Sequence, residues 1–464
     1  MPPSARAARH PVGAGSGGGG QQVVVIGASV GGLLAAAAAA AGGHVVTLLE
    51  RDELPHAPVP RAGAPQGAQP HVFLYRGLLA IEDLLPGLRA ELTALGAVAF
   101  DTGDLPWLGE NGWFPNGLPA YEVVSLTRPL FEHALRRRVT ALPQVSIRTG
   151  TRVTELRPDG RRWQVELADA STVVVDLVID ASGRTSRLPV WLAAADISPA
   201  ATSEVDAGVG YATQLLAAAP ATFDAVGLVI QQTPGTLAGG LALPVEGGRW
   251  LVSAIGCAGN RPPRDVAGFT AFLDALPDPA LAALVRGGQP LGGVTVHRQT
   301  GNRRHHYEAV REWPDGLLAI GDALCAFNPI YGQGIAVAAS EALLLRNVLA
   351  GPLRPGYCRR LQKAFGTVVA LPWAIATSED LRYPSSKGHQ APAQLLLGRW
   401  TRHLGRLAAH GDHRAYSVVS RVYHLMGSPV LLFHPALLAA AVRARLRGYG
   451  PPAPRPRRLD ALSR

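Results

Sequence analysis

Three cysteines, Cys257, Cys325 and Cys358, are too few and too widely spaced for a disulfide framework or a metal site. The 14 histidines are scattered, and the adjacent His305-His306 would face opposite sides of a strand, so no metal is expected. Long apolar runs are missing as well. Leu33 to Ala41 is too short to span a bilayer and reads as part of a helix. Leu431 to Ala441, followed by Arg443, Arg445 and Arg447, reads as a core-packed terminal helix, with peripheral membrane contact as the rival reading. No secretory apolar segment opens the chain, and a cytoplasmic location is expected. Nor is there a continuous basic face with stacking aromatics. The net charge of +10 comes in short runs such as Arg136-Arg137-Arg138 and in the tails, so nucleic acid is not an expected partner.

What the chain has in quantity is apolar residues, 47% of 464, broken by 53 glycines and 38 prolines. That is enough for a large core and more than one domain. Residues 1–20 and 451–464, rich in Ala, Arg, Pro and Gly, are expected to be disordered. Val23-Val24-Val25-Ile26-Gly27-Ala28-Ser29-Val30-Gly31-Gly32 reads as a buried strand turning tightly into a helix, the geometry that holds a dinucleotide pyrophosphate on helix N–H groups. Serine stands at the middle glycine of the usual fingerprint. Glu50 closes the next strand, 18 residues past Gly32, where a carboxylate suits ribose hydroxyls. The same strand-turn-helix logic returns at Leu317-Leu318-Ala319-Ile320-Gly321-Asp322-Ala323, with Asn328-Pro329-Ile330-Tyr331-Gly332-Gln333-Gly334 opening a helix. Thr172 to Ile179 reads as a third buried strand, ending at Asp180-Ala181-Ser182-Gly183.

Between these motifs the texture changes. Thr127 is a candidate cap for a helix through Arg138, and strands recur from Gly208 to Leu215 and from Trp250 to Cys257, with a helix at Phe269 to Leu276. Tyr357 to Leu371 reads as a helix of the nucleotide-binding part.

On the strand-one fingerprint, Asp180-Ala181-Ser182-Gly183 and Gly321-Asp322-Ala323 through Gly334, the chain resembles the single-component FAD-dependent monooxygenases with the fold of para-hydroxybenzoate hydroxylase. Three further stretches, Gly63 to His71, Phe327 to Gly334 and Ala376 to Pro384, resemble a narrower bacterial group of squalene-epoxidase-like enzymes that epoxidise polyene polyketides. The resemblance implies an α/β fold: a Rossmann-like, glutathione-reductase-type FAD-binding domain from 21–187 and 299–385, an inserted mixed β-sheet substrate domain at 188–298 with a contribution from 96–125, and a helical C-terminal part at 386–450. It also implies FAD contacts from Gly27, Ala28, Ser29, Gly32, Glu50, Arg51, Arg61, Arg128, Val153, Asp180, Gly321 and Asp322, with Pro329, Gly332 and Gly334 beside the isoalloxazine.

No side-chain nucleophile is expected, because the flavin, through its C4a-hydroperoxide, carries the oxygen chemistry. His71, Tyr211, Leu241, Leu243, Val252 and Phe327 are the candidate substrate lining, Ala254 lies with them, and Glu379 and Asp380 are further polar groups near the cleft. That largely apolar set favours epoxidation of a hydrophobic alkene, as in polyketide antibiotic biosynthesis, over hydroxylation of a phenol or polyketide aromatic. Halogenases of the tryptophan type use a lysine on a separate motif, and neither of the two lysines, Lys363 and Lys387, sits in one. Dioxygen and a hydrophobic small molecule are the expected partners, with electrons from NAD(P)H directly or through a separate flavin reductase.

Overall fold

The computed structural model describes residues 20–459 apart from 62, 72, 220–222 and 390. Its first strand, β1 (Gln22–Ile26), is a β-branched run buried on both faces, as a central strand must be. Helix α1 (Val30–Ala41) follows, seven alanines among its twelve residues. Alanine has the highest helix propensity, and its small side chain lets the helix lie close to the sheet. After β2 (Val45–Leu49) the chain crosses a loop holding a short 3-10 turn at Pro65–Ala68 and enters α2 (Tyr75–Leu84) and α3 (Leu88–Ala94). Four short strands come next: β3 (Val98–Asp101), β4 (Trp107–Gly109), β5 (Gly112–Trp113) and β6 (Glu122–Ser125). Helix α4 (Arg128–Thr140) is capped by the Thr127 hydroxyl, which accepts from the Leu130 N–H at 3.4 Å. Strand β7 (Val145–Arg148) then leads into the hairpins of β8 (Val153–Asp159), β9 (Arg162–Leu167) and β10 (Thr172–Val175).

Here the structure departs from expectation. Thr172 to Ile179 is not one strand. It breaks at Asp176 into β10, antiparallel to β9, and β11 (Leu177–Asp180), parallel to β1. At the break the Asp176 carboxylate accepts from the Gln22 N–H at 2.8 Å, while its own N–H donates to the Gln22 carbonyl at 2.9 Å. A continuous apolar run does not reveal where a chain changes sheets, and only the charged residue within it marks the place.

Past α5 (Leu188–Ala194) come β12 (Thr202–Val205), β13 (Gly210–Leu216), β14 (Leu228–Ile230), β15 (Ala238–Val245) and β16 (Arg249–Gly256). Helices α6 (Val266–Asp274) and α7 (Ala280–Gly287) follow, of which α7 has no counterpart in the sequence reading. Strands β17 (Thr295–His297), β18 (Asn302–His305), β19 (Leu317–Ala319) and β20 (Cys325–Ala326) return the chain to the nucleotide-binding part. Helix α8 (Gln333–Leu349) packs on α1, and α9 (Tyr357–Asp380) packs on α8. Helix α9 runs nine residues beyond the expected end at Leu371, straight through Pro372. An interior proline costs a helix about 3 kcal/mol, and the burial of Phe365, Val369, Trp373 and Ala376 on either side holds this one together.

Two sheets frame the candidate site. One is parallel and five-stranded, in the order β19-β11-β1-β2-β7. The other has seven strands, β17-β13-β16-β15-β14-β4-β5, and draws its last two from the 96–125 segment. One face of the second sheet packs on α6 and α7 through Ala212, Val252, Phe269, Leu273 and Leu281. Its opposite face turns toward the nucleotide-binding part.

Helices α10 (Pro392–Ala409), α11 (His413–Tyr423) and α12 (Pro435–Arg447) form a third layer around Leu404, Leu407, Leu432 and Leu437. No helix among the described residues is long and apolar enough to cross a membrane. The expected disorder of the C-terminal tail is corrected over residues 451–459. Ala453 bridges to Trp113, Leu459 is fully buried against the seven-stranded sheet, and Arg455 donates to Asp278 at 2.6 Å. One leucine and one arginine anchor this stretch, and a composition dominated by proline and arginine conceals both. Residues 1–19 and 460–464 of the expected disordered ends lie outside the described residues.

Candidate active site

The ligand end of the parallel sheet is built by close approach. Gly27 has φ +99° and donates its N–H to the Leu49 carbonyl at 2.8 Å. A Cβ at Gly32 would stand 1.9 Å from the Gly27 carbonyl oxygen, so only glycine lets α1 begin this near the strand end. Ser29 occupies the cap position of α1, yet no side chain caps the first turn. Its hydroxyl is turned away and donates to Glu132 at 2.6 Å. The helix therefore begins with uncapped N–H donors and the positive end of its dipole exposed to the turn, which fits the diphosphate of a dinucleotide. Glu50, buried at the end of β2, accepts from the Ala28 N–H at 2.9 Å and so stands at the same turn.

Around that turn lies a network of charges. Glu132 accepts from Arg128 at 2.7 Å and from Arg61 at 3.3 Å. Arg128 also reaches the Ser29 hydroxyl at 3.1 Å, and Arg61 reaches Asp52 at 3.0 Å and Glu50 at 3.6 Å. Burial pushes the Glu132 carboxyl upward, but Arg128, Arg61 and the Ser29 hydroxyl outweigh it and hold the group at about 2. Sequence reasoning chose both arginines and missed Glu132. The available signal was its spacing, four residues past Arg128 on one helix face. Arg51 is half-exposed beside Asp52, and Val153 opens β8 within the main core. Asp180 is fully buried, and its two oxygens accept from the Ser182 N–H and the Ser186 hydroxyl, so it shapes its own turn.

The second turn answers the first. Gly321 has φ +60° and donates its N–H to Glu341 at 2.7 Å. Glu341 is fully buried, its other oxygen has no partner among the described residues, and burial drives its carboxyl well above the usual range. Gly332, at φ +64°, caps α8 without a side chain. A Cβ on Gly334 would lie 3.7 Å from Asp322, which places that carboxylate over the first turn of α8. Beside it Gln333 is buried, with neither amide atom hydrogen-bonded among the described residues. A buried amide left without partners costs free energy unless a ligand completes it. The resemblance set the whole Pro329 to Gly334 stretch beside the ring but gave Gln333 no role of its own, because glutamine between two glycines carries no distinctive pattern.

Asp380, at the end of α9, holds this second turn. It accepts from Asn302 at 2.6 Å, Asn328 at 3.1 Å and Tyr331 at 2.6 Å. Asn328 in turn accepts from the Tyr211 hydroxyl at 3.1 Å, which carries the network onto the seven-stranded sheet. Burial raises the Asp380 carboxyl to about 6, against the opposing pull of its Tyr331, Asn328 and Asn302 donors. Glu379, next in the chain, instead pairs with Arg382 at 2.8 Å and Arg402 at 3.4 Å.

The candidate substrate residues divide between the two faces of the seven-stranded sheet. Strand register puts Tyr211, Leu241 and Leu243 on the face away from α6 and α7. Val252, with Ala254, is corrected: both sit on the opposite face with Ala212 and pack against α6 and α7. The register was legible only once β13 and β16 were paired, since one residue of slip reverses every side chain. In their place Thr213 and Ser253 share the face of Tyr211 and Leu241, hydrogen-bonded to each other, and the Thr213 hydroxyl also donates to Gln69. His71 is bonded to the Gln69 carbonyl at 2.8 Å. Burial first, then the Arg128 charge, lowers its imidazole to about 3, so it is neutral. Phe327 is buried, and its carbonyl accepts from Arg184 at 2.6 Å. No cluster of potential metal ligands occurs among the described residues.

No family model matches the chain. The Mycobacterium tuberculosis protein named Protein Rv3254 is 30% identical over 420 residues, covering 83% of this chain and 87% of that protein. Among solved structures, the flavin-dependent brominase Bmp2 superposes with a TM-score of 0.64 at 14% identity, over 92% of this chain and 100% of that one. The Diels-Alderase PyrE3 of pyrroindomycin biosynthesis gives 0.60 at 17%, over 88% and 81%. PqsL, a probable FAD-dependent monooxygenase from Pseudomonas aeruginosa, gives 0.58 at 18%, over 78% and 98%. By sequence and architecture together, the chain belongs to the family of the Mycobacterium tuberculosis protein Rv3254 and has the α/β fold of the para-hydroxybenzoate-hydroxylase-like flavoproteins.

Proposed function

We propose that the chain is an FAD-dependent monooxygenase that epoxidises an alkene of a hydrophobic polyketide or polyene intermediate with dioxygen. The observation that carries the cofactor is the pair of uncapped helix starts, α1 at Ser29 and α8 at Gly332, with the Gln333 amide, unpartnered among the described residues, in the first turn of α8. In this reading the α1 turn holds the pyrophosphate, Glu50 takes the adenosine ribose, and Arg61 and Arg128 face the phosphate charge. Asp322 would hold the ribityl chain, and Pro329 to Gly334 would hold the isoalloxazine. The bound flavin supplies the two-electron and oxygen chemistry. The positive end of α8 would steady negative charge on the ring, and Gln333 would offer it a donor and an acceptor. Because PyrE3 shares the fold, the reaction itself has to be argued from the cleft.

Epoxidation requires orientation and the exclusion of water more than acid–base chemistry. Tyr211, Leu241 and Leu243 supply apolar surface. His71, held neutral far below neutral pH, is a poor base for ionising a phenol. Lys363 and Lys387 are both exposed, which argues against halogenation through a cleft lysine. The hydroxyls of Thr213 and Ser253 favour one second reading, hydroxylation of an aromatic ring anchored there. Electrons come from NAD(P)H directly or through a separate flavin reductase. The test supplies reduced FAD and dioxygen with a panel of linear polyenes and phenols and reads product mass. One added oxygen on an alkene, with phenols untouched, is the expected result, and reaction of phenols alone overturns epoxidation.

A further inference from the structure

The helical C-terminal layer presents apolar side chains to solvent that nothing among the described residues covers. Leu438, Val442 and Leu446 follow one another at four-residue spacing on α12 and are between 45% and 79% exposed. Leu437, Ala440, Ala441 and Ala444 form the buried stripe of the same helix, so α12 is apolar on two sides. Phe433, just before α12, is also exposed and stacks on Trp400 of α10 at 6.2 Å with 10° between the rings. Leu396, one turn earlier on α10, continues the exposed surface.

Charge decides what can cover it. Residues 391–450 hold eight arginines and a single acidic residue, Asp412. Arg443, Arg445 and Arg447 flank the α12 stripe and form no ion pair among the described residues. A second copy would bring the same arginines against these, which opposes self-association. An anionic lipid surface satisfies both features at once, taking the apolar side chains below the headgroups while the guanidinium groups meet lipid phosphates.

We propose that this face, α12 with Phe433 and the start of α10, docks the protein onto an anionic bilayer. Tyr423 of α11 packs edge-on against Trp107 of β4 at 5.8 Å, and Tyr416 lies 6.4 Å from Phe114 beside β5. The layer that carries this face therefore also packs on the β4–β5 end of the seven-stranded sheet. That a lipid-soluble substrate enters there rests on the proposed function, whereas the docking itself does not.

The test is sedimentation of the full chain with vesicles of phosphatidylglycerol and phosphatidylcholine, or of phosphatidylcholine alone, at low and high salt. The chain is expected to pellet about tenfold more on the anionic vesicles and to be released by salt. The Val442→Asp/Leu446→Asp double variant should lose that binding at least about tenfold while keeping its helical circular dichroism and thermal midpoint. The Arg443→Gln/Arg445→Gln/Arg447→Gln variant should lose the preference for anionic lipid. No pelleting, equal pelleting on both lipids, or a gel-filtration dimer that the same aspartates split would each overturn the proposal. Because no turnover is read, a failed epoxidation assay leaves this result standing, and the reverse also holds.

Discussion

Glu132 stands between Arg61 and Arg128 in a space closed to water, and its carboxylate is what allows two guanidinium groups to be buried together. Glu132→Gln leaves both arginines short of countercharge, so the free protein should lose about 3 kcal/mol of stability. An added dinucleotide brings phosphate charge to the same arginines. The thermal shift on adding FAD should therefore be larger in Glu132→Gln than in the parent, and equal shifts would contradict this reading of the turn. The pH dependence has a definite sign. The folded carboxyl is depressed from 4.5 to about 2, so its contribution is complete above 4.5 and disappears as pH falls toward 2. Acid titration of the parent against Glu132→Gln should show the difference narrowing only below 4.5. At the same turn Gly32→Val would drive side-chain atoms into the Gly27 carbonyl, and loss of FAD retention is the expected outcome. Both glycines and both arginines were legible in the sequence, because each answers to a fixed backbone or charge requirement. Glu132 and Gln333 were not, since their importance comes from what the fold brings beside them.

Among the elements, the end of α9 controls the loop that opens α8. Asp380 reaches three donors from two other segments, Asn302, Asn328 and Tyr331. Asp380→Ala strands all three and should cost about 3 kcal/mol, with weaker FAD binding as the loop loosens. Asp380→Asn keeps the shape but turns an amide N–H toward one of those donors, so it should fall between parent and alanine. The pH sign here is opposite to that of Glu132. The folded carboxyl is raised from 3.8 to about 6, so its stabilising contribution is present below 3.8 and is lost as pH rises through 6. The thermal midpoint of the parent relative to Asp380→Asn should decline across that interval, and a flat difference would refute the shift. Sequence pattern offered Glu379 and Asp380 together as polar groups near the cleft, and the two residues take different partners. Strand pairing was the other gap at this scale. Periodicity located β13 and β16 but could not say which face of either looked toward the cleft, and Val252 was misplaced for that reason.

Across the whole molecule, the alternation of buried strands with glycine turns revealed the nucleotide-binding sheet, because those turns need backbone conformations few other residues adopt. The tail escaped, since contacts between distant segments leave no local pattern. Asp278, buried against Arg455, makes that tail part of the sheet domain. Truncation after residue 450 would leave Asp278 without this partner and expose the seat of Leu459, so a loss of about 3 kcal/mol or more in urea unfolding is expected. A tail that merely rests on the surface would cost almost nothing to remove. The proposed chemistry requires the two helix starts to grip one dinucleotide. Equilibrium dialysis of the purified chain against FAD tests this directly, with Gly32→Val and Gln333→Leu beside it. The account predicts one FAD retained per chain with flavin absorbance, binding abolished by Gly32→Val, and a shifted flavin spectrum with weaker binding in Gln333→Leu. A chain that takes up no FAD, or takes it up equally in all three proteins, would contradict it.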